Sequence, residues 1–325
     1  MGPFLPLLLF ALALGASHAS SPAEDYWHKV LPNTPMPSAV TDLLLHAVVA
    51  DEKSGTAANV GKGGVNVTGK DTSVSVGYHG RPVNVNVNPY YSGPFLYNYA
   101  ATKSQIQDPS VTLFFLEEDL HPGAKMTLHF IRTTIGATLL PRRAADSIPF
   151  SSAKLPAILS RLSIAPNSIE AKVMNKTLHE CEEPAIDGET KYCATSVESM
   201  VDFSTSSLGT RNVRALSTAV GREGTPKQVY AISDVQELPS SKLVVCHGEN
   251  YAYAVFYCHT TSAVAYKVSL VGKDGTKVEA VATCHTNTTG FNPEHVAFKV
   301  LDVKPGTVPV CHFLPQNDIV WSRNK

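Results

Sequence analysis

After Leu14 this chain holds no apolar run approaching the roughly 18 residues of a membrane-spanning helix, so no span is expected beyond the N-terminus. An excess of either charge is missing as well. The 27 Lys and Arg face 28 Asp and Glu with no basic run, which removes nucleic acid and anionic membranes from the expected partners. The short catalytic signatures are absent: there is no Gly-x-Ser-x-Gly elbow and no His-Glu-x-x-His, and no helical pattern follows the lone Gly61-Lys-Gly-Gly64 piece. Cysteine is scarce, six in 325 residues, so any pattern that gathers cysteines is informative. The 43% hydrophobic share still suffices for one sizeable packed domain with an extension.

What the chain does have is a recurring pair. Cys246-His247, Cys258-His259, Cys284-His285 and Cys311-His312 use four of the six cysteines. Six cysteines and 12 histidines in 325 residues should produce about 0.2 such doublets by chance, so the doublet is a unit with a purpose. Gaps of 10, 24 and 25 residues separate the doublets, which suits one tight connection and two hairpin-sized excursions. Neighbouring side chains of an extended strand point to opposite faces, so each Cys diverges from its His. Doublets side by side in a sheet would then gather sulfurs in one layer and imidazoles in another. Extended structure is expected around three of them, in Lys242-Leu-Val-Val-Cys246, Tyr253-Ala-Val-Phe-Tyr-Cys258 and Thr307-Val-Pro-Val-Cys311; Val281-Ala-Thr-Cys284 reads as more mixed.

Elsewhere the patterns alternate between periods. Residues 111–116 and 126–131 read as strands, with His121 and His129 structural residues flanking a first hairpin. Residues 152–162, 168–178 and 196–203 begin with plausible N-caps and space their apolar residues helically. Lys273-Asp-Gly275 marks a hairpin turn between strands at 266–271 and 278–282. Helices first and antiparallel strands after predict an α+β domain. His179 reads as a helix-end residue, and His295, in the strand-like stretch 294–298, as a surface or core histidine in preference to a further ligand. Upstream, 38–46 is an amphipathic helix candidate. Residues 59–88 alternate valine with polar residues but lack apolar bulk, and are read as a flexible linker in preference to a strand-forming contact region.

The first 19 residues combine a short apolar run with the small residues Gly15-Ala-Ser-His-Ala19, the form of a secretory signal cleaved after Ala19. Export makes six cysteines a disulfide framework. Cys181 and Cys193, close together and outside the doublets, are expected to pair; Cys246, Cys258, Cys284 and Cys311 then form two bridges among three possible connectivities. Sequons stand at Asn66, Asn175 and Asn287. With the sulfurs oxidised, thiolate zinc chemistry is closed, and His247, His259, His285 and His312 form a four-imidazole set that selects Cu(II), against the simpler reading of histidines hydrogen-bonded beside a disulfide core.

The four doublets at these intervals, together with Leu113-Phe-Phe-Leu-Glu-Glu-Asp-Leu-His-Pro-Gly123, resemble the plant BURP family. The middle gap is one residue shorter than the family's usual range. Tyr26-Trp-His-Lys-Val-Leu-Pro-Asn-Thr-Pro-Met-Pro37, Gly61-Lys-Gly-Gly-Val-Asn-Val67 and Thr72-Ser-Val-Ser-Val76 resemble its dehydration-responsive branch, whose members are apoplastic, stress-induced proteins without an established enzymatic activity. The resemblance implies this organisation: a signal peptide at 1–19, an N-terminal segment at 20–58, the degenerate repeat at 59–88, an aromatic connector at 89–110 and a BURP domain at 111–322. It implies a secreted, noncatalytic protein of the apoplast or cell wall, whose partners are wall polymers or wall-modifying proteins. Family members also include copper-dependent peptide cyclases, the alternative activity. Their core peptides carry a Tyr or Trp at a fixed, often repeated position, whereas the repeats here hold no aromatic, and Tyr78, Tyr90, Tyr91, Tyr97 and Tyr99 recur in no common context.

Overall fold

The computed structural model describes residues 20–44, 65–69, 72–76, 110–132, 137–185, 188–238, 242–291 and 293–324. The expected signal peptide and nearly all of the aromatic connector lie outside these residues. Seven helices are described: α1 (Pro22–Val30), α2 (38–44), α3 (Arg142–Ala145), α4 (Leu155–Arg161), α5 (Ile169–Glu182), α6 (Val197–Leu208) and α7 (Val296–Leu301). None is long and apolar enough to cross a membrane.

The strands are β1 (Val65–Gly69), β2 (Thr72–Val76), β3 (Phe115–Leu116), β4 (Lys125–Leu128), β5 (Lys191–Ala194), β6 (Val213–Leu216), β7 (Ala219–Val220), β8 (Gln228–Glu237), β9 (Leu243–Glu249), β10 (Val255–Thr261), β11 (Val264–Gly272), β12 (Lys277–His285), β13 (Val310–Phe313) and β14 (Ile319–Arg323). Within the segment read as a linker, β1 and β2 pair antiparallel. A five-stranded sheet runs β5-β10-β9-β14-β6, and a seven-stranded one runs β3-β13-β12-β11-β8-β4 with β7 also beside β12. Helices concentrate in the first half and antiparallel strands in the second, an α+β fold as the patterns indicated.

Local chemistry explains the elements. Ser168 accepts the Ala171 N–H at the start of α5; Ser196 caps α6, which stops at Gly209, where φ is 68° and glycine is free of the Cβ clash. The buried stripe of α6, which includes Val197, Met200, Val201 and Leu208, packs on the outer face of the five-stranded sheet. The N-terminal segment completes that layer: Trp27, Leu31, Val40 and Leu43 join Cys246, Cys258 and Trp321 in one cluster, with the Trp27 and Trp321 rings 5.2 Å apart. Trp27 is fully buried, and its indole N–H donates to the Thr34 carbonyl at 2.8 Å.

Two expectations are corrected. Residues 111–116 and 126–131 form no hairpin; β3 pairs with β13 and β4 with β8, at opposite edges of the seven-stranded sheet. The sheet curls until those edge segments meet, with the Thr112 N–H donating to the Thr127 carbonyl at 2.8 Å. The stretch around His295 is the N-terminus of α7, not a strand, because the His295 ring accepts the Ala297 N–H at 3.2 Å and acts as the cap.

Candidate functional site

The two sheets face each other, and strand alternation decides what each contributes. In β9, Val244 and Cys246 point into the helix-covered cluster, while Leu243 and Val245 pack with Ala265, Val281, Leu314 and Val320 between the sheets. In β12, Ala280, Ala282 and Cys284 point to the outer core of the seven-stranded sheet, and Val281 points inward. By the same alternation the doublet histidines face the inter-sheet space. The single sulfur layer expected from the sequence is therefore two layers, one outside each sheet. The doublets belong to two facing sheets, with two doublets in each.

All six cysteines are bridged. Cys181 pairs with Cys193 as expected, and the open connectivity resolves to Cys246–Cys258 and Cys284–Cys311. Each doublet bridge joins residues directly opposed in an antiparallel pair, across β9 and β10 or across β12 and β13. That opposition brings the adjacent histidines together. His247 and His259 stack with ring centroids 5.4 Å apart and planes 19° apart; His285 and His312 stack at 5.6 Å and 14°. The four imidazoles form two pairs, and each pair feels the other: the charges that depress His285, after burial itself, are those of His312, His259, His247 and His295. Among the described residues, no three His, Cys, Asp or Glu side chains stand together as a metal-holding group.

The first pair sits in a chain of polar contacts. Asp318 Oδ2 lies 2.7 Å from His247 Nδ1, His247 Nε2 lies 3.3 Å from His259 Nε2, and His259 Nδ1 lies 2.9 Å from Glu189 Oε2. Asp318, only 1% exposed, also accepts the Gly248 N–H through Oδ1 at 3.2 Å. Burial disfavours charge on both members of the Asp318–His247 couple: it pushes the carboxyl well above its usual range and the imidazole well below. Two ring nitrogens at 3.3 Å cannot both present bare lone pairs to each other, so one of them carries a proton that the other accepts. Each imidazole has its other nitrogen held by a carboxyl group, the outer-shell arrangement of histidine metal ligands. The pair therefore offers two imidazole nitrogens, the donor type that copper favours.

The second pair is set in neutral surroundings. His312 Nδ1 donates to the Phe313 carbonyl at 3.3 Å, and its Nε2 meets the Thr283 hydroxyl at 3.1 Å. Burial lowers His312 to about 4. His285 stands edge-on to Phe291 at 5.2 Å, and Phe114 stands edge-on to His312 at 6.2 Å. Neutral imidazole is the ligand form, and burial favours it at His247, His285 and His312.

Sequence reasoning missed Asp318, Glu189, Thr283 and Glu249. Glu249 could have been found, since it lies two residues after His247 on the same strand face. It is 6% exposed with Oε1 unpartnered, and burial, reinforced by Glu180 and Asp318, pushes it up to about 8. Asp318 and Glu189 have no local signal, because each meets its imidazole across about 70 residues of chain. His295 stands closer to the centre than expected, as one of the charges acting on His285 and His312. Of the sequons, Asn287 is exposed and accepts from the Thr289 N–H and hydroxyl, Asn175 lies within α5, and Asn66 lies on β1.

Residues 113–323 match the BURP domain. The chain belongs to the BURP domain family. It is 59% identical over 251 residues to BURP domain-containing protein 3 of Oryza sativa subsp. japonica, covering 75% of this chain and 57% of that protein. It is 46% identical over 314 residues to rice BURP domain-containing protein 5, covering 95% and 89%, and 42% identical over 388 residues to BURP domain protein RD22 of Arabidopsis thaliana, covering 98% of each chain. Similarity to the plant proteins thus extends through the N-terminal segment that packs on the domain.

Proposed function

We propose that this is a secreted, noncatalytic BURP protein of the plant apoplast or cell wall, linked to dehydration response, that holds copper at His247, His259, His285 and His312. The observation that carries the metal is the 3.3 Å gap between His247 Nε2 and His259 Nε2, with both Nδ1 atoms committed to carboxyl groups. His247 and His259 stand ready as a two-nitrogen ligand set, and His285 and His312 face it as the second. Copper when bound supplies a redox-active cation. The chain's own residues orient the rings and exclude water. The wall and stress assignment is supported by the resemblance to the dehydration-responsive branch and by the lack of a recurring aromatic in the valine repeats, whose segment holds Tyr78 alone.

Elemental analysis of the full-length secreted protein tests the metal: copper at stoichiometric amounts is expected, with Cu(II) held more tightly than Zn(II). Affinity should fall as pH drops through about 6.5 and below, because protons compete for the same nitrogens. His259→Ala and His285→Ala should weaken copper strongly, while the exposed His28→Ala should not. Unchanged binding in both variants leaves the histidines as companions of the disulfides. Intact-mass measurement before and after copper loading separates the noncatalytic reading from peptide cyclisation: an unchanged mass supports the first, a loss of hydrogens the second.

A further inference from the structure

Resting on the copper reading above, we propose that Asp318 and Glu189 are positioning residues that make His247–His259 the capturing half of the centre and leave His285–His312 the weaker half. The argument is the inequality of two pairs built on one backbone plan. In the first pair both Nδ1 atoms contact carboxyl groups at 2.7 and 2.9 Å, and the two Nε2 atoms converge on one point. With a cation bound in place of a shared proton, a carboxylate at Nδ1–H would fix the tautomer and the ring, make Nε2 more basic, and supply negative charge to offset the buried cation. Asp318 is itself fixed, by the Gly248 N–H on Oδ1 and by its own N–H to the Pro315 carbonyl at 3.1 Å.

The second pair lacks this preparation at His312. Its Nδ1 donates to a carbonyl, which lends basicity but no full charge, and its Nε2 is already engaged by the Thr283 hydroxyl at 3.1 Å. Ligation through that nitrogen must first break the Thr283 contact. The His285 ring is positioned by stacking and by the Phe291 edge, contacts that do not select which nitrogen faces the metal. A cation therefore settles on the carboxyl-anchored pair and recruits the other.

The test is Cu(II) titration of the full-length protein against a chelator of known affinity, with electron paramagnetic resonance of each complex. Asp318→Asn and Glu189→Gln should each weaken Cu(II) by about 10- to 100-fold and alter the nitrogen hyperfine pattern, whereas Thr283→Val should match wild type or bind more tightly. His247→Ala should lose more affinity than His285→Ala. Glu189 is part-exposed at 23%, so its variant stays informative should buried Asp318→Asn fold poorly. Wild-type affinity and spectrum in Glu189→Gln, or equal losses in His247→Ala and His285→Ala, overturn the asymmetry while leaving the copper reading intact. A wild-type protein that takes up no copper removes both.

Discussion

The β9–β10 and β12–β13 pairs follow one plan and differ in everything around it. Both are antiparallel, both oppose two cysteines and bridge them, and both stack the two following histidines. The first is backed by α6 and the N-terminal segment, and has Asp318 and Glu189 at its imidazoles, with buried Glu249 in the field of Asp318. The second is backed by the curled sheet's own core, with Phe115, Met126 and Phe313 against the Cys284–Cys311 bridge, and has Thr283 and phenylalanines around its imidazoles. The doublet places the donors; neighbours from distant parts of the chain decide how each pair behaves.

The largest test of this contrast is Trp27→Ala. Trp27 is fully buried against Trp321 in the cluster that covers Cys246–Cys258, so its removal should cost about 3–5 kcal/mol in urea denaturation. The loss should fall on the five-stranded sheet, seen as faster amide exchange in β9 and β14 than in β12. Equal exchange in both sheets would show that the backing layer does not distinguish them.

The pH dependence comes next. Glu249 rises from 4.5 to about 8 on folding, so the folded protein keeps a proton that the unfolded chain releases; stability from this group is present below pH 4.5 and lost as pH rises toward 8. Glu249→Gln should remove that loss and leave the variant more stable than wild type at pH 8 by on the order of 3 kcal/mol. The acid side belongs to both pairs. His312, depressed from 6.5 to about 4, contributes stability above pH 6.5 that is lost as pH falls toward 4, and the deeply depressed His247 and His285 act in the same direction. Denaturation series from pH 5 to 8 check both limbs; an unaltered alkaline limb in Glu249→Gln would detach that group from the first pair's behaviour.

The smallest difference lies in the bridges themselves. Cys284–Cys311 closes 27 residues and Cys246–Cys258 closes 12, so replacing each pair by serine should cost about 3.5 and about 3 kcal/mol respectively by loop-closure entropy. A larger loss from the 12-residue bridge would mean that packing under α6, and not chain entropy, sets the value of the disulfides.

Short-range regularities were legible because they act over a few residues. The doublets stood out against chance, the Ser168 and Ser196 caps and the apolar spacing marked α5 and α6, and Lys273-Asp-Gly275 marked the β11–β12 turn. Strand alternation also foretold that each sulfur would part from its imidazole. Partner choice over long distances was not legible. Alternation says that Cys and His diverge but not which sheet a strand joins, so the split into two facing pairs, the two doublet bridges and the meeting of β3 with β13 depend on tertiary pairing. The carboxyl groups of Asp318 and Glu189 reach their imidazoles across about 70 residues, and no local pattern encodes that contact. Four histidines could be named from the chain; that they form two unequal pairs follows from which side chains the folded sheets bring beside them.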